Sequence, residues 1–196
     1  MTKTLDFFFD VGSPASYLAW TQLPGICQRT GAELVYKPML LGGVFQATGN
    51  ASPTTLPVKG RYVTRDYQRF ALRYGVGFVA NPHFPINTLM LMRAVIGMQM
   101  READRYPDFL GTVFSALWVD ALNLNDPAVV AKALSDGGFN PQEIIALTND
   151  AEVKAALRAN TEEAVSRGVF GAPTMFIGDE MYFGQDRLDF ICEALV

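Results

Sequence analysis

Two serines, Ser13 and Ser16, stand shortly after an apolar run that ends at Phe9. Ser is a preferred N-cap residue and Pro14 suits a first helical position, so the sequence predicts a helix that begins at Ser13. The free N–H groups and positive dipole end of such a helix stabilise a nearby anion or thiolate. From the residues alone, a capping role without further chemistry is the favoured interpretation of Ser13. Because two hydroxyls cannot form a disulfide, disulfide exchange by this pair is excluded.

A second segment with possible chemistry is residues 168–174, Gly-Val-Phe-Gly-Ala-Pro-Thr, which precedes a predicted strand. A proline after a small residue at the start of a strand, with glycine nearby, is compatible with a cis peptide bond. In that geometry we expect the backbone N–H and C=O of Ala172 to lie beside the first helix, where they pair with a peptide-like ligand as an added strand does. An ordinary turn before a strand is the alternative.

Further polar residues have both a structural and a functional interpretation. Asp186 near a helix start either satisfies the helix dipole or binds a ligand ammonium. Asn50 is typical of a turn, and Lys59 at a helix start is typical of a solvated position. A basic stripe with four-residue spacing indicates a solvated helix face, an anion site or a subunit contact. The stripe consists of Arg61, Arg65, Arg69 and Arg73.

The two ends of the chain predict a small mixed sheet with flanking helices. Strands Thr4–Phe9 and Glu33–Pro38 enclose the first helix, and a right-handed crossover makes this pair parallel. Near the other end, Thr174–Ile177 and residues 181–183 form a hairpin, and an amphipathic helix follows over residues 186–195. This is the α/β arrangement of a thioredoxin-type fold.

The middle of the chain has helical rather than strand periodicity. Apolar stripes predict helices ending near Tyr74 and over residues 86–103, 109–121, 127–135 and 141–147. Asn149 with Glu152 resembles a capping box that opens a helix running to Gly168. We therefore predict a discontinuous thioredoxin-like domain of residues 1–40 and 169–196. Residues 41–168 form a connecting segment and a large inserted all-helical domain.

Composition excludes several classes of function. The chain of 196 residues has a net charge of −4 and a pI near 5.0, which argues against binding to nucleic acid or anionic membranes. Uncharged stretches are interrupted by proline and polar residues, and no secretory signal is apparent, so we expect a cytoplasmic protein. Cys27 and Cys192 are expected to be small apolar side chains rather than a disulfide, and a single histidine excludes a His-rich metal site.

The order of these motifs resembles the 2-hydroxychromene-2-carboxylate isomerase family. The motifs are Ser-Pro-x-Ser-Tyr-Leu, Leu-Gly-Gly-Val-Phe with Gly-Asn, Lys-Gly-Arg-Tyr, Phe-Pro-x-Asn, Val-Phe-Gly-Ala-Pro-Thr and Phe-Gly-Gln-Asp-Arg-Leu. They span essentially the whole chain. The family is close to the kappa-class glutathione transferases and more distant from DsbA-like proteins, all with a helical domain inserted in a thioredoxin fold.

The resemblance implies glutathione as cofactor and assigns a catalytic role to Ser13, which would hold the thiolate. The backbone of Ala172, before a cis Pro173, would pair with the cysteinyl unit. The γ-glutamyl end would face Gln185 and Asp186, with the Asp186 carboxylate against its ammonium. The remaining implied cofactor contacts are Asn50 and Lys59.

The activity that the resemblance implies is the interconversion of 2-hydroxychromene-2-carboxylate and trans-o-hydroxybenzylidenepyruvate in naphthalene-type aromatic degradation. It also implies a homodimer acting on a small aromatic substrate. The aromatic ring would meet an apolar wall, for which Tyr17, Phe45 and Trp118 are candidates. A kappa-class-like glutathione transferase and a non-catalytic thioredoxin-like binding module are the alternatives.

Overall fold

A computed structural model describes residues 2–196 and shows one mixed sheet in that part of the chain. Its strands are β1 (Thr4–Phe9), β2 (Glu33–Pro38), β3 (Thr174–Ile177) and β4 (Glu180–Phe183), in the order β2-β1-β3-β4. β1 pairs in parallel with β2 and antiparallel with β3, and β3 pairs antiparallel with β4. The predicted parallel pair and hairpin are confirmed.

Helices cover the sheet and make up the segment between β2 and β3. They are α1 (Pro14–Thr30), α2 (Leu41–Thr48), α3 (Pro57–Tyr74), α4 (Leu89–Arg101), α5 (Tyr106–Trp118), α6 (Pro127–Asp136), α7 (Pro141–Asn149), α8 (Ala151–Ser166) and α9 (Leu188–Leu195). Short 3-10 helices occupy Pro53–Thr55, Ala103–Arg105 and Gln185–Arg187. The helical character predicted for the middle of the chain is therefore confirmed, whereas the domain boundaries stay a prediction.

The capping box predicted at Asn149 is wrong, because Asn149 is still the last residue of α7. Asp150 is the N-cap of α8, and its carboxylate accepts hydrogen bonds from the N–H groups of Glu152 (2.7 Å) and Val153 (3.3 Å). Arg101 contacts the same carboxylate at 3.2 Å. An acidic cap that also pairs with a cation satisfies the helix start better than the neighbouring amide does.

Several element ends and one helix also differ from the sequence prediction. Helices α4 and α5 cover Leu89–Arg101 and Tyr106–Trp118 rather than residues 86–103 and 109–121. The last helix begins at Leu188, and Asp186 lies in the 3-10 turn before it. Helix α2 was not predicted, since Gly42 and Gly43 lower helix propensity. Its first N–H, that of Leu41, donates to the Asp10 carboxylate at 2.9 Å, so a tertiary contact stabilises this helix start.

β1 packs against a core cluster on each face, which explains why its sequence is apolar apart from Thr4 and Asp6. Leu5, Phe7 and Phe9 point into the larger core, where the rings of Phe7 and Phe9 stack with centroids 4.8 Å apart. Phe8 points to the opposite face, where its ring meets Phe176 edge-on at 5.7 Å. Packing on both faces therefore holds the end of β1 in place, and the following turn begins from this anchored position.

Both cysteines are free, as predicted. Burial raises the pKa of the Cys27 thiol to about 11, with a smaller contribution from Cys192. The Cys27 thiol therefore stays protonated at neutral pH and is a poor nucleophile. Residues 2–196 contain no helix that is both long and apolar enough to cross a membrane, and no group of three or more His, Cys, Asp or Glu side chains suited to a metal ion.

Candidate active site

The turn between β1 and α1 presents Ser13 as the predicted N-cap. The Ser13 N–H donates to the carbonyl of Asp10 (3.0 Å), and the N–H of Ser16 donates to Ser13 Oγ (3.1 Å). The Ser13 hydroxyl in turn donates to the carbonyl of Ala172 at 3.0 Å. Ser13 is only 5% exposed. One hydroxyl therefore caps α1 and joins the two segments that the sequence singled out from opposite ends of the chain.

The Ala172-Pro173 peptide bond is cis, as predicted, and Phe84-Pro85 is a second cis bond that was not predicted. The Ala172 N–H has no backbone partner within the described chain. We expected both backbone groups of Ala172 to be open to a ligand. Only the N–H is open, because the Ala172 carbonyl accepts the Ser13 hydroxyl.

A cleft of about 1940 Å³ brings six of the seven predicted site residues together. They are Ser13, Asn50, Lys59, Ala172, Gln185 and Asp186. Pro173 is not among the lining residues, and its carbonyl accepts the N–H of Gly184 at 3.0 Å. Pockets for one small ligand usually measure about 300–1,000 Å³, so this cleft has room for two molecules side by side.

Asn50 and Lys59 stand on the rim of the cleft. The Asn50 side chain is occupied on both sides, donating to the carbonyl of Phe170 (2.7 Å) and accepting the N–H of Ala51 (2.8 Å). It holds the segment after α2 against the segment before β3. Lys59, in the first turn of α3, is exposed and forms no ion pair within residues 2–196. Its ammonium is available to an anionic ligand.

The 3-10 turn after β4 presents Gln185 and Asp186. Gln185 is 6% exposed, and its backbone carbonyl accepts a hydrogen bond from the Tyr74 hydroxyl at 2.6 Å. Asp186 Oδ2 pairs with Arg187 Nη1 at 2.6 Å. Gly184 precedes the turn with φ +94°, and a Cβ there would lie 2.6 Å from Asp186 Oδ1. Only glycine adopts this conformation easily and leaves room for the carboxylate.

Tyr74→Phe is expected to lower the free energy of unfolding by about 1 kcal/mol, since the bond to Gln185 is lost. Burial raises the pKa of Tyr74 to about 12, with smaller contributions from Asp189 and Asp186. The raised pKa disfavours the phenolate in the folded state, so stability declines as pH rises from about 10, where an unfolded tyrosine ionises. Urea unfolding at about pH 8 and about pH 11 should show a smaller alkaline loss in Tyr74→Phe than in the parent. Tyr62→Phe on the exposed face of α3 is the control, and an equal alkaline loss in all three proteins would contradict the prediction.

Aromatic side chains form the wall at the other end of the cleft. Trp118 is 2% exposed, and its indole N–H donates to the carbonyl of Val11 at 2.8 Å. The ring centroids of Phe78 and Phe84 lie 6.1 Å and 6.2 Å from that of Trp118. Of the three predicted wall residues, Trp118 and Phe45 line the cleft. Tyr17 does not, since it is buried with its hydroxyl bonded to Gly77.

The predicted basic stripe on α3 divides into two parts. Arg61 and Arg65 line the cleft. Arg69 pairs with Asp66 at 3.2 Å, and the Arg73 guanidinium lies 5.3 Å from the centre of the Phe70 ring. The stripe is thus part solvated helix face and part cleft wall.

Three lining residues were not recognised from the sequence as part of the site. Asp10 directly follows the first predicted strand and Thr88 belongs to none of the motifs, yet both line the cleft. Tyr67 lies in the apolar stripe of the predicted helix that ends near Tyr74, and it also lines the cleft. Burial raises the pKa of its hydroxyl to about 12, with Asp186 contributing. The one local signal for Asp10 is its place directly after the three phenylalanines that end β1.

Nearly the whole chain is similar to proteins of known families. Residues 4–196 match the DSBA-like thioredoxin domain. A 2-hydroxychromene-2-carboxylate isomerase from Sphingobium xenophagum is 31% identical over 193 residues, which cover 97% of each chain. A glutathione S-transferase kappa 2 from Caenorhabditis elegans is 29% identical over 206 residues, covering 98% of this chain and 92% of the relative.

A solved structure of a 2-hydroxychromene-2-carboxylate isomerase has the same fold. It superposes with a TM-score of 0.81 at 32% identity, covering 98% of this chain and 94% of the other. The predicted thioredoxin-like core with a helical insertion is thereby confirmed. The chain belongs to the DSBA-like thioredoxin domain family and, within it, to the 2-hydroxychromene-2-carboxylate isomerases.

Proposed function

We propose that this protein is a glutathione-dependent isomerase that interconverts 2-hydroxychromene-2-carboxylate and trans-o-hydroxybenzylidenepyruvate. The observation that carries the proposal is the pairing of Ser13, at the N-terminus of α1, with the backbone of Ala172 in a cleft whose described lining contains no cysteine. A nucleophilic thiol for this place must therefore come from a ligand. The isomerase relatives support the reaction, and the kappa-class relatives support glutathione.

The residues present fit glutathione. The unpaired N–H of Ala172 suits a peptide carbonyl, and the Ser13 hydroxyl can turn from the Ala172 carbonyl towards a thiolate. That rotation frees the Ala172 carbonyl to accept a peptide N–H, so the backbone of Ala172 then pairs on both sides. Asp186 offers a carboxylate to an ammonium, and Lys59 offers an ammonium to a carboxylate.

Glutathione held at this site would supply a thiolate able to add reversibly to the conjugated alkene of the ring-opened substrate, so that the bond could rotate before the thiolate left unchanged. Ser13 and the N-terminus of α1 lower the thiol pKa by stabilising the anion. Phe78 and Phe84 line the cleft, are half-buried and pack against the buried Trp118, so they offer apolar surface to the aromatic ring. Arg61 and Arg65, which line the cleft, are our candidates for the substrate carboxylate.

A kappa-class-like glutathione transferase is the second candidate function. The same thiolate would then attack an electrophile and stay attached to it. The 29% identical kappa-class relative and the size of the cleft favour this alternative over a binding module without catalysis. The two enzymes differ in one observable, because an isomerase leaves the glutathione concentration constant and a transferase consumes it.

The test is to mix the purified protein with 2-hydroxychromene-2-carboxylate, with and without glutathione, and to follow the ultraviolet spectrum while titrating free thiol. We expect conversion that requires glutathione and proceeds without thiol loss. Conversion without glutathione would contradict the cofactor assignment, and thiol loss would favour the transferase. Absence of glutathione binding by calorimetry would favour the binding module.

We also propose a homodimer, as the family resemblance implies, and a cytoplasmic location, as expected from the sequence. Light scattering coupled to gel filtration measures the oligomeric state directly. A monomer at working concentrations would contradict the dimer, and it would leave the assignment of the cleft unchanged because every residue named above belongs to one chain.

A further inference from the structure

Asp10 is a buried carboxylate to which the proposed mechanism gives no role. It follows β1 directly, lines the cleft and is 1% exposed. Its Oδ1 accepts the N–H of Gly12 at 2.9 Å. Its Oδ2 accepts the N–H of Leu41 at 2.9 Å and the hydroxyl of Thr88 at 3.0 Å. No Lys or Arg pairs with it in the part of the chain that the structure describes.

These three donors come from three different parts of the fold. Gly12 precedes Ser13 in the β1–α1 turn, Leu41 is the first residue of α2, and Thr88 is the N-cap position of α4. Helix α2 contributes cleft residues on the side of Asn50, and the segment before α4 contributes those near Phe84. One side chain thus fixes the turn that presents Ser13 relative to two other walls of the cleft.

The packing around Gly12 shows how little freedom this turn has. A Cβ added to Gly12 would lie 2.6 Å from Thr88 Cγ2 and 3.3 Å from Asp10 Oδ1. The backbone of Asp10 also takes part, since its carbonyl accepts the Ser13 N–H at 3.0 Å. The carboxylate, the Thr88 methyl group and the backbone bond therefore hold residues 10–13 in one conformation.

A carboxylate in this environment is costly. Burial raises the pKa of Asp10 above its ordinary value, and the bonds from Gly12, Leu41 and Thr88 only partly reverse that effect. An uncharged residue of similar size would avoid the desolvation penalty. It would not accept two backbone N–H groups and a hydroxyl at the same time. The arrangement is thus suited to holding three segments in place.

We propose that Asp10 is a positioning residue for Ser13: its carboxylate holds the Gly12 N–H so that the Ser13 hydroxyl faces Ala172 and the ligand thiol. This inference deepens the proposed function and depends on it for the role of Ser13. The positioning of the turn itself does not depend on any reaction. The two claims can therefore be tested separately.

A double-mutant cycle tests the link to Ser13. Asp10→Asn places an amide NH₂ opposite at least one of the donors, and we expect kcat/KM to fall about tenfold. Because Asp10 acts through Ser13, the double variant Asp10→Asn/Ser13→Ala should be no slower than Ser13→Ala alone. A loss that adds to that of Ser13→Ala would overturn the proposal. No effect of Ser13→Ala would instead refute the proposed function of Ser13.

Amide hydrogen exchange tests the turn without any assay of activity. In Asp10→Asn the side chain keeps one acceptor oxygen, so we expect exchange to accelerate at least about tenfold at whichever of Gly12 and Leu41 then faces the NH₂ group. Thr88→Val keeps the branched side chain over Gly12 and replaces only the hydroxyl with a methyl group. We expect a smaller acceleration of exchange at the same two N–H groups. This variant also tests the proposal if Asp10→Asn does not fold. Thr148→Val, a buried threonine of α7 away from the cleft, is the control. Unchanged exchange at Gly12 and Leu41 in both Asp10→Asn and Thr88→Val would overturn the proposal.

Discussion

Replacing Ser13 with alanine is expected to lower kcat/KM of the glutathione-dependent reaction by about 100-fold to 1,000-fold, the usual cost of removing a hydrogen-bond donor from a developing or resting anion in an active site. The Ser13 hydroxyl is nearly buried and already directed at the backbone of Ala172. With alanine, the thiolate keeps only the dipole of α1, so the thiol pKa should rise. The pH–rate profile should move to higher pH by the same cause.

The stability of Ser13→Ala must be measured together with its activity. Ser13 Oγ also caps α1, so Ser13→Ala should lose about 1 kcal/mol of unfolding free energy, with the fold retained. Ser16→Ala is a matched control in the same helical turn, because Ser16 Oγ is buried without a hydrogen-bond partner in the described structure. We expect that control to keep activity within about twofold. Full activity of Ser13→Ala with an unchanged pH profile would refute the role given to Ser13.

Local signals in the sequence were sufficient to predict the turn that presents Ser13. Ser13 followed by Pro14 predicts a helix start, and Ala172 followed by Pro173 predicts a special turn, because both depend only on neighbouring residues. The parallel pairing of β1 and β2 followed from a chirality rule that holds across proteins. These features can therefore be predicted from the sequence alone.

Features that depend on two distant segments were not predictable in this way. The hydroxyl of Ser13 meets the carbonyl of Ala172, 159 positions further along the chain, and no local pattern specifies that contact. Tyr74 was assigned to an apolar stripe, yet its hydroxyl supports the Gln185 turn. Helix α2 forms despite its glycines because the Asp10 carboxylate accepts its first N–H.

The absence of cysteine from the described lining of the cleft has a mechanistic consequence. In a thioredoxin-type fold the N-terminus of the first helix favours thiolates, and here it carries Ser13 instead. A cysteine at this position could attack the disulfide form of a ligand thiol and release one thiol as it forms a mixed disulfide, whereas a serine only donates a hydrogen bond. Under the proposed function, the same helix N-terminus would therefore hold a ligand thiol as a nucleophile that is regenerated after each turnover.

Asp186→Asn is expected to weaken glutathione binding by about 10-fold to 30-fold and to leave kcat at saturating glutathione nearly unchanged, as expected for loss of binding shared by ground and transition states. The Asp186 side chain is 39% exposed and pairs with Arg187 in the protein alone. A ligand ammonium would share the carboxylate with Arg187. The attraction should weaken with rising ionic strength, since the site is open to solvent. Isothermal titration calorimetry at low and high salt measures both effects.

The assignment of the γ-glutamyl ammonium to Asp186 can be isolated with a ligand that lacks this group. A glutathione analogue without the α-amino group should bind the parent protein about as weakly as glutathione binds Asp186→Asn, and it should bind the parent and the variant equally. Asp189→Asn, in the first turn of α9 and outside the cleft lining, removes the same charge nearby and should retain full affinity. If Asp189→Asn weakened binding as much as Asp186→Asn, the effect would be a general loss of negative charge. A direct contact with the ammonium would then be refuted, and the γ-glutamyl end would have to lie elsewhere in the cleft.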